Sequence, residues 1–140
     1  MQIELRRLAP DDAGLLLGRI ADCVFDEPVN AARLAAYLAE PGHHMVVALV
    51  AGEVVGQCAA VIHRHPDKPA ELYIDEVGVA PAFQRRGIGR RMLDAMFAQG
   101  RALGCEEAWL GTELDNDAAR ALYESYGVAM QEMAYYQFRL

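Results

Sequence analysis

Near the middle of the chain a strand pattern, a glycine-bearing turn and a helix pattern follow one another without a gap. Glu71 to Val79 reads as a long strand that stops at Pro81. From Ile88 to Leu103, Ile88, Met92, Met96 and Leu103 share one helical stripe with Leu93 and Phe97 beside it, and Gly104 is a natural stop. Glu107 to Leu110 is a short strand. A strand–helix–strand unit of this kind is parallel and right-handed. The chain must therefore build a mixed α/β sheet with a helix across one face.

The flanking segments fit around that unit. Gln2 to Leu8 alternates and predicts a first strand. Pro10, Asp11 and Asp12 open a helix on which Ala13, Leu16, Leu17, Ile20 and Val24 keep helical spacing. A second helix follows the cap Asn30, places Ala31, Leu34, Ala35 and Leu38 on one face, and ends at Pro41-Gly42. Met45 to Val50 and Val54 to Ile62 form a hairpin through Ala51-Gly52-Glu53. Asn116 or Asp115 caps a last helix running to about Tyr126, and Met130 to Leu140 predicts a final aromatic strand. The order is strand, two helices, three strands, helix, strand, helix, strand. The short connections make the first central strands antiparallel.

Size and charge narrow the classes of function. A chain of 140 residues fits one domain over 1–140, and 54% hydrophobic residues exclude disorder. With 20 acidic against 13 basic residues the net charge is -7, which disfavours nucleic acid and favours cationic partners. No apolar run approaches the ~18 residues of a membrane span, and Met1 to Pro10 lacks the apolar core of a signal peptide. Cys23, Cys58 and Cys105 are scattered and odd in number, which suits a reducing cytoplasm. His43, His44, His63 and His65 lie in turns without ligand spacing, so no metal site is expected.

The most informative segment is Val77-Gly78-Val79-Ala80-Pro81-Ala82-Phe83-Gln84-Arg85-Arg86-Gly87-Ile88-Gly89-Arg90-Arg91. Two glycines one residue apart open a helix whose first N–H groups are unpaired and positive in potential. With four arginines around them, they make a site for a pyrophosphate. The spacing is neither that of a Walker loop nor that of a dinucleotide fingerprint. A tight turn bearing a solvated arginine run is the alternative reading of the same residues.

Gln84-Arg85-Arg86-Gly87-Ile88-Gly89 resembles the acetyl-CoA pyrophosphate motif Q/R-x-x-G-x-G/A of the GCN5-related N-acetyltransferases (GNAT). Asn116 to Gly127 resembles that family's second motif, N-x-x-A-x-x-x-Y-x-x-x-G, and the element order is similar across nearly the whole chain. Glu71 to Gly127 looks most like small members related to aminoglycoside 3-N-acetyltransferases. The resemblance implies a GNAT fold, its mixed sheet splayed between the fourth and fifth strands and closed by a sixth or seventh from the tail. It implies acetyl-CoA as cosubstrate, with no metal. Val77, Gly78 and Val79 would pair with the pantetheine arm, and the amides of Arg85, Arg86, Gly87, Ile88, Gly89 and Arg90 would hold the pyrophosphate. Asn116 would hydrogen-bond the arm, or serve as a plain helix cap. Homodimers are common in the family, and the short tail either completes its own sheet or that of a partner chain.

The implied reaction moves an acetyl group to a primary amine of a small molecule, aminoglycoside-like or polyamine-like. A non-catalytic acyl-CoA sensor and a protein N-terminal acetyltransferase are the alternatives. A lysine-like amine of pKa ~10.4 costs about 4–5 kcal/mol to deprotonate at pH 7, so a base is needed. Family members that acetylate ribosomal-protein termini use a glutamate before the last helix. The matching position is Gly111, which argues against that subfamily. Asp75 and Glu76 remain as candidate bases, with Glu113 a third. Strict strand alternation puts Asp75 and Glu76 on opposite faces unless a bulge intervenes. Tyr123 is the family's candidate to serve the leaving thiolate. At pKa ~10 against ~8.5 for a thiol, it suits a hydrogen bond better than proton donation. Asp26 and Glu27 either face the amine entrance or belong to a solvated loop.

Overall fold

A computed structural model describes residues 1–140. Five strands form one sheet in the order β1 (Glu4–Arg7), β2 (His43–Val50), β3 (Glu53–His63), β4 (Glu71–Val79) and β5 (Glu107–Trp109). The first four pair antiparallel, and β4 pairs parallel with β5. Ala51 and Gly52 both take positive φ, the two-residue turn whose twist suits a hairpin. Helices α1 (Ala13–Leu16) and α2 (Ala31–Ala39) cover one face, and α3 (Ile88–Ala102) and α4 (Asp117–Glu124) belong to the other.

Strand alternation sorts the core into two layers. Val46, Ala48, Val55, Cys58, Leu72 and Ile74 meet Ile88, Met92, Leu93 and Met96 of α3. Met45, Val47, Leu49, Val54 and Ala59 meet Leu16, Val24 and Leu34 on the opposite face. Each fully buried Leu, Ile or Met of α3 contributes about 1.5–3 kcal/mol over exposure. That packing fixes the start of α3 at the end of β4, which positions the glycine turn.

Three expectations fail, each for a physical reason. His43, His44 and His63 lie in strands rather than turns, because ladder pairing carries β2 and β3 past their apolar runs. The first helix ends at Leu16, and Ile20 and Val24 do not continue it. Arg19 and Ala21 instead exchange backbone hydrogen bonds with Val54, making Ile20 a parallel bridge to β3. Val24 is buried as part of a loop, not of a helix. The tail forms no strand, so no sixth or seventh strand closes the sheet. Strand β5 is only three residues long. Its free edge offers too few hydrogen bonds to offset ordering the tail, at about 1–2 kcal/mol per residue.

Candidate active site

The turn between β4 and α3 is folded by its own side chains. Gln84 Nε2 donates to the Val79 carbonyl at 3.0 Å, drawing the loop back onto the strand end. Arg85 (φ +63°) and Gly87 (φ +77°) both adopt the left-handed conformation. As a result the N–H groups from Arg85 through Arg90 find no acceptor in the chain; the helix ladder begins with Arg91 donating to Gly87. A Cβ on Gly87 would meet nothing within 4 Å, so open space lies in front of these donors. Exposed donors, a helix N-terminus and an open approach fit a pyrophosphate. A Cβ on Gly89 would lie 3.1 Å from Leu122, so that glycine lets α4 pack against the start of α3. Arg90 stacks 4.1 Å over the Tyr126 ring and donates to Ser125 Oγ at 2.8 Å. Arg86 lies over Phe83, while Arg91 reaches the Ile3 carbonyl.

The sheet splays beside this turn. Strand β5 pairs only with Glu71, Leu72 and Tyr73, so from Ile74 to Val79 the outer edge of β4 has no neighbouring strand. Val77, Gly78 and Val79 lie on that free edge, where an extended amide-bearing arm can add as a strand would. A Cβ on Gly78 would sit 2.4 Å from the Val24 carbonyl, so only glycine lets the loop after α1 cross here.

Strict alternation fails inside β4, because a bulge does intervene. Ala59 faces Glu76 and Ala60 faces Ile74, leaving Asp75 as the extra residue. Glu76 thereby takes the face that Tyr73 occupies. It lines an open recess of about 370 Å³ with Phe25, Asp26 and Glu27. The acidic loop borders this recess, with Asp26 and Glu27 both exposed. Partial burial raises the pKa of Glu76, and the Asp75 and Asp26 charges raise it further. Asp75 is raised as well, mainly by burial, with His43 opposing.

Tyr123 is half-buried on α4 and packs against the α3-side core. Burial raises its pKa, with a contribution from Cys58, the residue facing Val77 across the ladder. Asn116 Oδ1 accepts from the Ala119 N–H at 3.2 Å as a helix cap, which leaves its side-chain N–H groups free. Glu113 is exposed, and its carbonyl only closes the turn before α4. Gly111 lies in the exposed segment after β5. Sequence reasoning missed Gln57, a 2% exposed residue of β3 whose Nε2 lies 3.4 Å from the Val24 carbonyl. A single amide in the otherwise apolar run Val54 to Ile62 was the available signal. It also missed Tyr37, which donates to the His44 carbonyl at 2.9 Å and stacks on His43.

Residues 15–128 match the family model described as "Acetyltransferase (GNAT) family". The chain is 36% identical over 126 residues to N-alpha-acetyltransferase RimI of Mycobacterium tuberculosis, covering 89% of this chain and 72% of that protein. It is 42% identical over 60 residues to a mycothiol acetyltransferase of Saccharopolyspora erythraea, covering 43% of this chain but 19% of that protein. Among solved structures, an aminoglycoside acetyltransferase from an uncultured soil metagenomic sample superposes with a TM-score of 0.86 at 20% identity, covering 99% and 96% of the two chains. The aminoglycoside acetyltransferase AAC(6')-Iy, bound to a bisubstrate analog, superposes at 0.80 with 18% identity over the whole of both chains. That neighbour is a 6'-acetyltransferase, not a 3-N-acetyltransferase, and at such identities the likeness is one of fold. The family match takes in the glycine turn, the splayed strand and the last helix together, and this chain belongs to the GNAT family as an N-acetyltransferase.

Proposed function

We propose that the chain transfers the acetyl group of acetyl-CoA to a primary amine of a small polycationic molecule, aminoglycoside-like or polyamine-like. The observation that carries this reading is the recess shared by Asp26, Glu27, Phe25 and Glu76. One amine must lose its proton to react, and the loop acids would oppose that loss. A second ammonium on the same molecule resolves the conflict by engaging Asp26 and Glu27 while the first stands at Glu76.

When bound, acetyl-CoA supplies the electrophilic thioester carbon. The Arg85–Arg90 amides hold the pyrophosphate, and the free edge at Val77, Gly78 and Val79 pairs with the arm. The Asn116 side-chain amide is free to donate to the same arm. Glu76 accepts the amine proton, directly or through a water, as the carbon–nitrogen bond forms and the carbon–sulfur bond breaks. Its raised pKa brings it nearer neutrality, where a general base is most effective. Asp75 supports that shift through its charge. Tyr123 donates a hydrogen bond to the departing sulfur; its raised pKa suits this better than full proton transfer. Free thiols at Cys23, Cys58 and Cys105 suit a reducing cytoplasm.

A protein or peptide amino terminus is the second reading, favoured by the 36% identity to a RimI protein. Thiol release from acetyl-CoA over kanamycin, spermidine and a peptide with N-terminal alanine separates the two. Turnover with the polycations that weakens with added salt supports the proposal, and turnover confined to the peptide overturns it. In the accepted reaction, Tyr123→Phe should lower kcat about tenfold or more, with the KM for acetyl-CoA within about twofold. Unchanged kcat would return Tyr123 to a packing role.

A further inference from the structure

We propose that Gln57 is a positioning residue that orients the Glu76 carboxylate and ties the Val24–Glu27 loop to it. The inference rests on the reading of Glu76 as the base. In the β3–β4 ladder Gln57 faces Gly78, and Ala59 faces Glu76. Gln57 and Glu76 are therefore diagonal neighbours on the α1–α2 face of the sheet, each opposite a small residue. The absence of a side chain at 78 and the single methyl at 59 leave room for the two long side chains to meet.

The surroundings of the Gln57 amide point the same way. Its Nε2 lies 3.4 Å from the Val24 carbonyl and 3.5 Å from where a Gly78 Cβ would stand. A primary amide has two N–H donors. One engages the backbone of the loop that carries Phe25, Asp26 and Glu27. The second is left for Glu76, its diagonal neighbour, and Gln57 pulls the Glu76 pKa down against the upward push of burial. The Gln57 Oε1 is buried without a donor. Such an orphan is costly, and an apolar residue of similar volume would avoid it. Its presence makes sense if the N–H side has work to do.

Other charges bear on Glu76 as well. Asp75 is on its own strand, and Asp26 and Glu27 are on the loop. Tyr37 of α2 interacts with both strand acids, and His43 of β2 acts on Asp75. None of the carboxylates can donate to Glu76 when ionised. Gln57 is the neutral donor that opposes the rise imposed on Glu76 by burial and by the neighbouring acids.

The test titrates the Glu76 carboxyl by carbon-13 NMR in the full chain without ligand, assigning its signal by loss in Glu76→Gln. In Gln57→Leu the Glu76 pKa should rise by about half a unit or more. In Gln57→Glu, which preserves size, it should rise further, because a second carboxylate then adjoins the first. An unchanged Glu76 pKa in a variant whose amide spectrum shows it folded overturns the proposal. The base reading is tested separately by the pH–rate profile of Glu76→Gln with spermidine or kanamycin. A wild-type profile there sinks the base while leaving the NMR result to decide whether Gln57 holds Glu76.

Discussion

At Gly87 the backbone sits at φ +77°, and a Cβ would project into the open space before the free amides. A left-handed alanine costs about 1–2 kcal/mol, so Gly87→Ala loses some stability whatever it does to binding. Gly104 has φ +90° and equally open space but lies at the far end of α3, which makes it the control. Both alanine variants should lose similar stability in urea. Only Gly87→Ala should weaken acetyl-CoA by about tenfold or more in calorimetry, and equal affinities would sink the pyrophosphate site. Glu76 carries a different signature. Its folded pKa is raised, so the native state holds the proton more tightly than the unfolded chain. Its ionisation therefore makes stability fall as pH rises from the ordinary glutamate range through the raised value, and the loss persists above it. Glu76→Gln should melt higher than wild type at pH 7 and lose that advantage below pH ~4. A lower melting temperature at pH 7 would show the carboxylate to be stabilising instead.

Strand β4 does three jobs along its length. Its first residues pair with β5, its bulge turns Glu76 toward the recess, and its last residues present a free edge. The loop after α1 is locked onto the face of that strand end at Gly78, where an added Cβ would stand 2.4 Å from a backbone oxygen. A backbone atom cannot swing away as a side chain can, so the loop must move. Gly78→Ala should cost about 2 kcal/mol or more in denaturant unfolding. It should also raise the amine KM more than that of acetyl-CoA, because the displaced loop carries Asp26 and Glu27. A KM rise confined to acetyl-CoA would mean that the loop does not shape the acceptor side.

Across the whole molecule, one sheet separates two cores, and the proposed reaction lies where both reach the splay. The α3–α4 side brings the amides, Arg90 and Tyr123; the α1–α2 side brings Gln57 and the acidic loop. The tail joins neither core. Met133, Tyr135, Tyr136 and Phe138 are each more than three-quarters exposed. Ending the chain at Ala129 should therefore leave the melting temperature within about 2 °C, since each 1 kcal/mol of lost packing would lower it by roughly 2–8 °C. Sedimentation at rising concentration should show self-association in the full chain and not in the shortened one, because apolar patches of this kind seek cover. A drop of about 5 °C or more would mean that the tail packs onto its own domain.

Local chemistry made much of this legible from sequence. The Glu71–Val79 strand, the helix from Ile88 and the Asn30 and Asn116 caps follow from periodicity, glycine placement and side-chain capping, which act within a few residues. The glycine turn was legible because the exposure of its backbone N–H groups is dictated by the local sequence. What depended on partners distant in sequence was not legible. The first helix was cut short because Val54 competes for the backbone around Ile20, and no local signal announces that. The face taken by Glu76 hinged on a bulge opposite Ala59 and Ala60, and a shift of one residue reverses every side chain beyond it. Gln57 looked like one polar residue in an apolar strand until the fold set it across from Gly78, diagonal to Glu76 and against the Val24 carbonyl. Sequence alone determined the family and the glycine turn whose backbone is proposed to hold the cosubstrate. Only tertiary packing decided which acid faces the recess and what surrounds it, because those contacts join residues tens of positions apart.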